Sequence, residues 1–190
     1  MIHFTSDTHW HHANVIRYSD RPYSSVEEMN KALIQNWNRQ VDPADTVWHL
    51  GDLAFCQYPQ LVQILKQLNG RKNLVLGNHD RVVEQNRDRL LSSGLVDSIQ
   101  SYAELRSDEH PFICLFHYGM RVWNKSHHGS IMLYGHSHGS LPPWGKSVDV
   151  GVDSKEISHE YRPYSLTEIL QYMEPRGSKK VDHHEPRGVR

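Results

Sequence analysis

Apolar and polar positions alternate along the chain in two different rhythms. Short apolar runs of four to six residues are separated by longer stretches whose apolar residues recur at helical spacing. Met1 to Ser6, Asp45 to Leu50 and Asn73 to Leu76 read as strands. Between them, Met29, Leu33, Trp37 and Val41 recur every four residues, which predicts a helix from about 29 to 40 with one buried face. Ser24 is placed to cap it, with Glu27 three residues on. Pro59 to Leu68 predicts a second helix and Val82 to Leu91 a third. The second half changes rhythm. Ser98 to Leu105, Phe112 to Phe116, Ile131 to Tyr134 and Ser147 to Val152 all read as strands, and Leu166 to Met173 as a closing helix. A first half of alternating strands and helices, followed by a strand-rich second half, predicts an α/β fold with two facing mixed sheets flanked by helices.

The polar residues that end the strands carry the next inference. The first strand runs into Asp7-Thr8-His9, the second into Gly51-Asp52 and the third into Gly77-Asn78-His79-Asp80. Phe112 to Phe116 runs into His117, and Ile131 to Tyr134 into Gly135-His136-Ser137-His138. In open α/β sheets, ligands bind at the carboxyl ends of strands. Asp and His together suit borderline cations such as Zn, Fe, Mn or Ni, and Asn adds a neutral oxygen. Each piece alone has a plainer reading: a turn, a helix cap or a packed histidine. Their joint placement at five strand ends is what points to metal chemistry.

Composition narrows the class. The chain has 190 residues, 37% hydrophobic and 23% charged, which fits one soluble globular domain. No apolar run is long enough to span a membrane, and Met1 to Ser6 lacks the features of a signal peptide. Two cysteines make no disulfide framework, so a reducing cytoplasm is the expected compartment. The net charge of −1 gives no reason to favour nucleic acid as a partner. Fifteen histidines are many for this length, and those at the strand ends give the excess a purpose. The segment 175–190 has no apolar period and carries five basic residues against two acidic ones, so it reads as a flexible basic tail behind a domain of residues 1–174.

The ordered set Asp7-Thr8-His9, Gly51-Asp52, Gly77-Asn78-His79-Asp80, His117 and Gly135-His136-Ser137-His138 resembles the calcineurin-like metallophosphoesterases over roughly residues 1–152. His12-Ala13-Asn14 and Arg21-Pro22 resemble a compact bacterial and phage branch of that family. The resemblance implies a dinuclear phosphoesterase acting on small phosphate esters or nucleotides, monoesters or diesters, with a metal-bridging hydroxide as nucleophile. It implies one ion, manganese or iron, zinc or nickel, on Asp7, His9, Asp52 and His138. The other would sit on Asp52, Asn78, His117 and His136, with Asp52 shared. By the same resemblance His79 is the catalytic acid over the phosphoryl group, and Asp80 holds its imidazole. No motif position is substituted, which speaks against a metal-free scaffold of the same fold.

Weaker candidates surround these motifs. His11, His12, Asn14 and Arg81 are expected as substrate contacts, and Arg21, His127 and His128 as rim residues. His49 is expected to pack behind the ligands, and Trp10, Trp123 and Trp144 to line loops near the site. A nuclease using the basic tail is the third reading.

Overall fold

The computed structural model describes residues 1–179. The proposed tail is therefore described only as far as Lys179, and His183-His184 lie outside the described residues. The elements in chain order begin with β1 (Ile2–Thr5), α1 (Ala13–Tyr18), α2 (Val26–Gln40), β2 (Thr46–His49), α3 (Tyr58–Gln67) and β3 (Arg71–Val75). There follow α4 (Arg81–Gln85), α5 (Arg87–Ser92), β4 (Ser98–Gln100), β5 (Tyr102–Leu105), β6 (Ile113–Phe116), a 3-10 turn (Ser126–His128) and β7 (Ile131–Tyr134). The last are β8 (Ser147–Asp149), β9 (Tyr164–Ser165) and α6 (Leu166–Met173).

Two sheets form, as the patterning predicts. The first has strand order β4-β3-β2-β1-β9, parallel except for β9. The second has order β5-β6-β7-β8, with β5 antiparallel to β6 and the rest parallel. Strict alternation along the strands separates two faces. Ile113, Leu115, Ile131 and Leu133 point between the sheets, where they meet Phe4, Leu50 and Val75. Cys114, Met132 and Tyr134 point outward, under Trp123. The other face of the first sheet buries Val47 and Leu74 against α2 and α3, through Met29, Leu33, Trp37, Leu61 and Leu65. Each such side chain taken from water contributes about 1.5–3 kcal/mol.

Several boundaries differ from the sequence reading, each for a local reason. The segment 98–105 is not one strand: it breaks at Ser101, with β4 in the first sheet and β5 in the second, so this is where the chain changes sheets. The helix expected over 82–91 is two short helices that meet at Asn86. The cap of α2 is Ser25, whose hydroxyl accepts from Glu28 N–H at 3.1 Å, one residue later than expected. Ser24 instead gives its own N–H to the Glu28 carboxylate. The elements α1 and β9, six and two residues long, are too short to register as a period in the pattern.

Ser6 at the end of β1 bridges to Gly151 beyond β8, and Val152 N–H donates to Ser6 carbonyl at 3.1 Å. This seam joins the carboxyl ends of the two sheets and brings their loops to one edge.

Candidate metal centre

The loops at that edge are held in an uncommon conformation. Asp7, His9, Asp52, His136 and His138 all have φ between 48° and 67°, the left-handed region that L side chains seldom occupy. Such strain persists only where the surroundings enforce it, and it concentrates at functional sites. Here backbone hydrogen bonds do the enforcing. Asp7, His9 and Trp10 donate their N–H groups to the carbonyls of Gly51, Asp52 and Leu53 at 3.0–3.1 Å, so the first two motif loops run side by side. The third loop is clamped against the second by Asp80. Its carboxylate accepts from the N–H groups of Asp52 (2.8 Å), Leu53 (2.8 Å) and Gly77 (2.7 Å). Gly77 packs so closely that a Cβ there would lie 2.4 Å from Asp52 Oδ1 and 2.5 Å from Asp52 N.

Two groups of ligand-bearing side chains result. Asp7, His9 and His138 place one ligand atom each within 4.8 Å of one another, and Asp52, His117 and His136 do the same. Asp52 stands between them: Oδ2 is 3.5 Å from His9 Nε2, and Oδ1 is 3.6 Å from His117 Nε2. Asn78 joins the second group, its Oδ1 lying 3.0 Å from both His117 Nε2 and His136 Nδ1.

The surroundings prepare these atoms as ligands. His117 Nδ1 lies 2.8 Å from the Leu50 carbonyl, so the proton sits on Nδ1 and Nε2 keeps its lone pair. His138 Nδ1 lies 2.6 Å from Asp153 Oδ2, the carboxylate–histidine arrangement that directs the opposite nitrogen to a metal. His9 is only 3% exposed, yet neither ring nitrogen has a hydrogen-bond partner. Burial, then the cationic groups around it, pulls its pKa down to about 2, so the ring is neutral with a bare lone pair. Asp7 is fully buried; burial and the neighbouring Asp149 hold its pKa well above the usual carboxylate range. A buried carboxylate and an unpartnered neutral imidazole fit a cation, which would satisfy both.

The weaker candidates distribute unevenly. His12 lines the cavity of about 770 Å³ above the ligands, together with His9, Asp52, Phe55, His79 and His138. Its ring stacks on Phe55 at 4.1 Å. His79 is exposed over the same cavity, with its N–H on Asp52 Oδ1 at 2.9 Å. His11 gives its N–H to Asn30 and lines a groove between α2 and α3 instead. Val15 and Tyr18 of α1 line the cavity, and Asn14 beside Val15 lies on an exposed face of the helix. Asp80 also departs from expectation. Among the described residues its carboxylate is spent on three backbone N–H groups, and no bond from it reaches the His79 ring. His49 packs behind the ligands, 2.9 Å from Thr8 Oγ1, and burial lowers its pKa to about 3. Trp10 is core, and Trp123 and Trp144 pack on the outer face of the second sheet, away from the ligands.

Arg21 corrects the sequence reading most. It is not on the rim; its side chain is wholly buried. Its guanidinium makes a two-pronged pair with Asp153 (2.8 and 2.7 Å) and donates to the carbonyls of Asp7 (2.6 Å) and Thr8 (2.9 Å). One cation thus holds both the first ligand loop and the carboxylate that orients His138. Asp149, whose carboxylate accepts from Ser137 Oγ and Gly139 N–H, steadies the histidine loop. Asp149 ends β8 and Asp153 follows it; the sequence reading names neither, although the strand-end rule extended to this strand would have marked them as polar residues at the same edge.

Residues 1–148 match the family model described as the calcineurin-like phosphoesterase superfamily domain. The chain belongs to this superfamily. An uncharacterised protein of Methanocaldococcus jannaschii is 34% identical over 188 residues, covering 91% of each chain. The gene 66 protein of Mycobacterium phage D29 is 32% identical over 179 residues, covering 80% of this chain and 88% of its own. A crystal structure of a protein of unknown function from Aquifex aeolicus superposes with a TM-score of 0.66 at 24% identity, over 90% of this chain and 98% of that one; it shares the fold. Superfamily membership and the two ligand groups support a metal-dependent phosphoesterase. Among the described residues no helix is long and apolar enough to cross a membrane.

Proposed function

We propose that the protein hydrolyses phosphomonoester or phosphodiester bonds of small phosphate esters or nucleotides, using two metal ions. Asp7, His9 and His138 would hold one ion, and Asn78, His117 and His136 the other, with Asp52 shared. The observation that carries this is His9, a buried neutral imidazole with both nitrogens unpartnered, facing Asp52 between the two groups. The oxygen and imidazole donors suit manganese, and also iron, zinc or nickel. When bound, such a pair supplies positive charge to the phosphoryl oxygens and an acidified water near neutral pH.

The chain's own residues do the rest. The clamped loops fix the donor atoms before substrate arrives, so little reorganisation accompanies the reaction. His79 is the exposed imidazole over the cavity and acts on the leaving oxygen, donating a hydrogen bond or a proton. Its backbone is held by Asp52, so the acid keeps its distance from the metal groups. Asp80 acts by fixing the two loops rather than by orienting the His79 ring. The described cysteines, Cys56 and Cys114, are unpaired, and we place the protein in the cytoplasm.

The test compares Mn²⁺-loaded and chelated protein on a chromogenic monoester and a chromogenic diester. Activity is expected only with metal. Asp52→Asn is expected to lose most of it. His79→Ala is expected to keep its metal while kcat falls about 10²–10⁴-fold. Loss of metal from a folded His79→Ala protein would overturn the assignment of His79.

A further inference from the structure

The space around the metal groups continues past them. Phe55 and His79, which line the cavity over the ligands, also line a second cavity of about 880 Å³ on the α4 side. Asn78 lines that cavity and a third of about 560 Å³. Two further residues face both outer cavities: Arg81 and Gln85. Four residues apart on α4, they project from one face of the helix.

Their side chains are uncommitted. Arg81 and Gln85 are both exposed, and among the described residues neither has a hydrogen-bond or ion-pair partner. Some exposed arginines are engaged, Arg71 with Asp97 at 2.7 Å and Arg106 with Glu104 at 2.9 Å, while Arg81 is left facing the two cavities. The carboxylates nearest Arg81 in sequence do not neutralise it. Asp80 is spent on backbone N–H groups, and Glu84 lines only the smaller cavity, beyond salt-bridge distance. A guanidinium presents a planar fork that matches phosphate oxygens, and a glutamine amide adds an N–H donor.

We propose that Arg81 and Gln85 form a subsite for a second phosphoryl group. The favoured substrates are then phosphate esters that carry another phosphate beyond the one hydrolysed. A nucleotide phosphorylated at two positions is the simplest example. The inference rests on the phosphoesterase reading for where the first phosphoryl group lies.

Calorimetric titration of the Mn²⁺-loaded protein with the methylenephosphonate analogues of thymidine 3′,5′-bisphosphate and thymidine 5′-monophosphate, whose P–C bonds the proposed hydrolysis cannot cleave, tests it. The bisphosphate is expected to bind about tenfold more tightly, the scale of one charged hydrogen-bonded contact. In Arg81→Gln this ratio is expected to fall close to one, and Arg81→Lys to retain part of it, since the point charge stays while the fork is lost. Arg89→Gln removes the same charge from α5, where Arg89 stacks on Tyr58, and is expected to leave the ratio intact. A ratio near one in the unaltered protein overturns the proposal. So does an unchanged ratio in Arg81→Gln, or an equal fall in Arg89→Gln, which would signify unspecific attraction. Failure of the phosphoesterase reading shows itself separately: no 4-nitrophenolate released from thymidine 5′-(4-nitrophenyl phosphate) with manganese, iron, zinc or nickel. The two affinities still decide the subsite in that case.

Discussion

Arg21 shows how one side chain can govern a metal site without touching it. Its guanidinium is enclosed, and its charge is balanced by Asp153, whose other neighbour is His138 Nδ1 at 2.6 Å. Burial alone would raise the Asp153 pKa, but the bonds from His138 and Arg21 outweigh it and hold the carboxyl below the usual range. Asp153→Asn keeps the shape and removes the charge. It leaves a buried cation without its counterion, which costs about 3–5 kcal/mol. It also removes the group that fixes His138, for which losses of about 10–100-fold in metal affinity are typical. Urea denaturation and metal titration of the variant check the two effects independently. Unchanged stability would mean that the pair contributes nothing net. The sequence could not show this role, because Arg21 and Asp153 are 132 residues apart and each, read alone, is an ordinary charged loop residue.

Among elements, strand ends were legible and helix details were not. Apolar runs locate the core strands, so the polar motif residues beyond β1, β2, β3, β6 and β7 mark where each strand gives way to its loop. All five exits lie at one edge because these strands run parallel within their sheets. Ser101 escaped notice because apolar residues recur on both sides of it, Ile99 before and Tyr102, Ala103 and Leu105 after, while the chain passes from one sheet to the other. The one-residue shift of the α2 cap escaped because Ser24 and Ser25 are chemically equal, and only the helix phase selects Ser25. The glycines of the motifs have a reason that sequence alone leaves open. Gly77→Ala would drive a methyl group into Asp52, where the nearest contacts are the backbone N and a ligand oxygen, so yielding means parting the second and third motif loops. Overpacking of this kind costs about 1–3 kcal/mol. We expect Gly77→Ala to lower the unfolding free energy by that amount and to lose metal, as measured by denaturant titration and elemental analysis. A variant with full metal content would show that the loops can separate without harm.

At the scale of the whole molecule, the metal-free fold works against itself at the seam between the sheets. Asp7 is buried at the point where β1 meets the end of β8, and its folded pKa stands well above the ordinary 3.8. A carboxyl raised on folding holds its proton in the native state at pH values where the unfolded chain has lost it. Its contribution to stability therefore declines as pH rises from the unfolded value toward the folded one. His138 behaves alike in sign. Burial lowers its pKa, but the bond to Asp153 and the charge of Asp7 outweigh that and raise it above the ordinary 6.5. Its stabilising contribution is full below 6.5 and is lost as pH rises through the folded value. A bound cation takes the place of both protons, so metal must compete with them, and its binding strengthens as they leave. Binding to the native state alone raises stability by mass action. The melting temperature gained on adding a fixed concentration of Mn²⁺ should therefore be larger at pH 8 than at pH 5.5. Without metal, the contributions of these two groups should make the protein less stable at pH 8 than at pH 5.5. Asp7→Asn, which cannot ionise, should flatten the pH dependence of the metal-free protein and reduce the gain from manganese. Thermal melts at both pH values, with metal and with chelator, check each part. An equal gain from manganese at the two pH values would mean that no ligand proton is released on binding, and that the buried carboxyl and the paired imidazole are not where the ion goes.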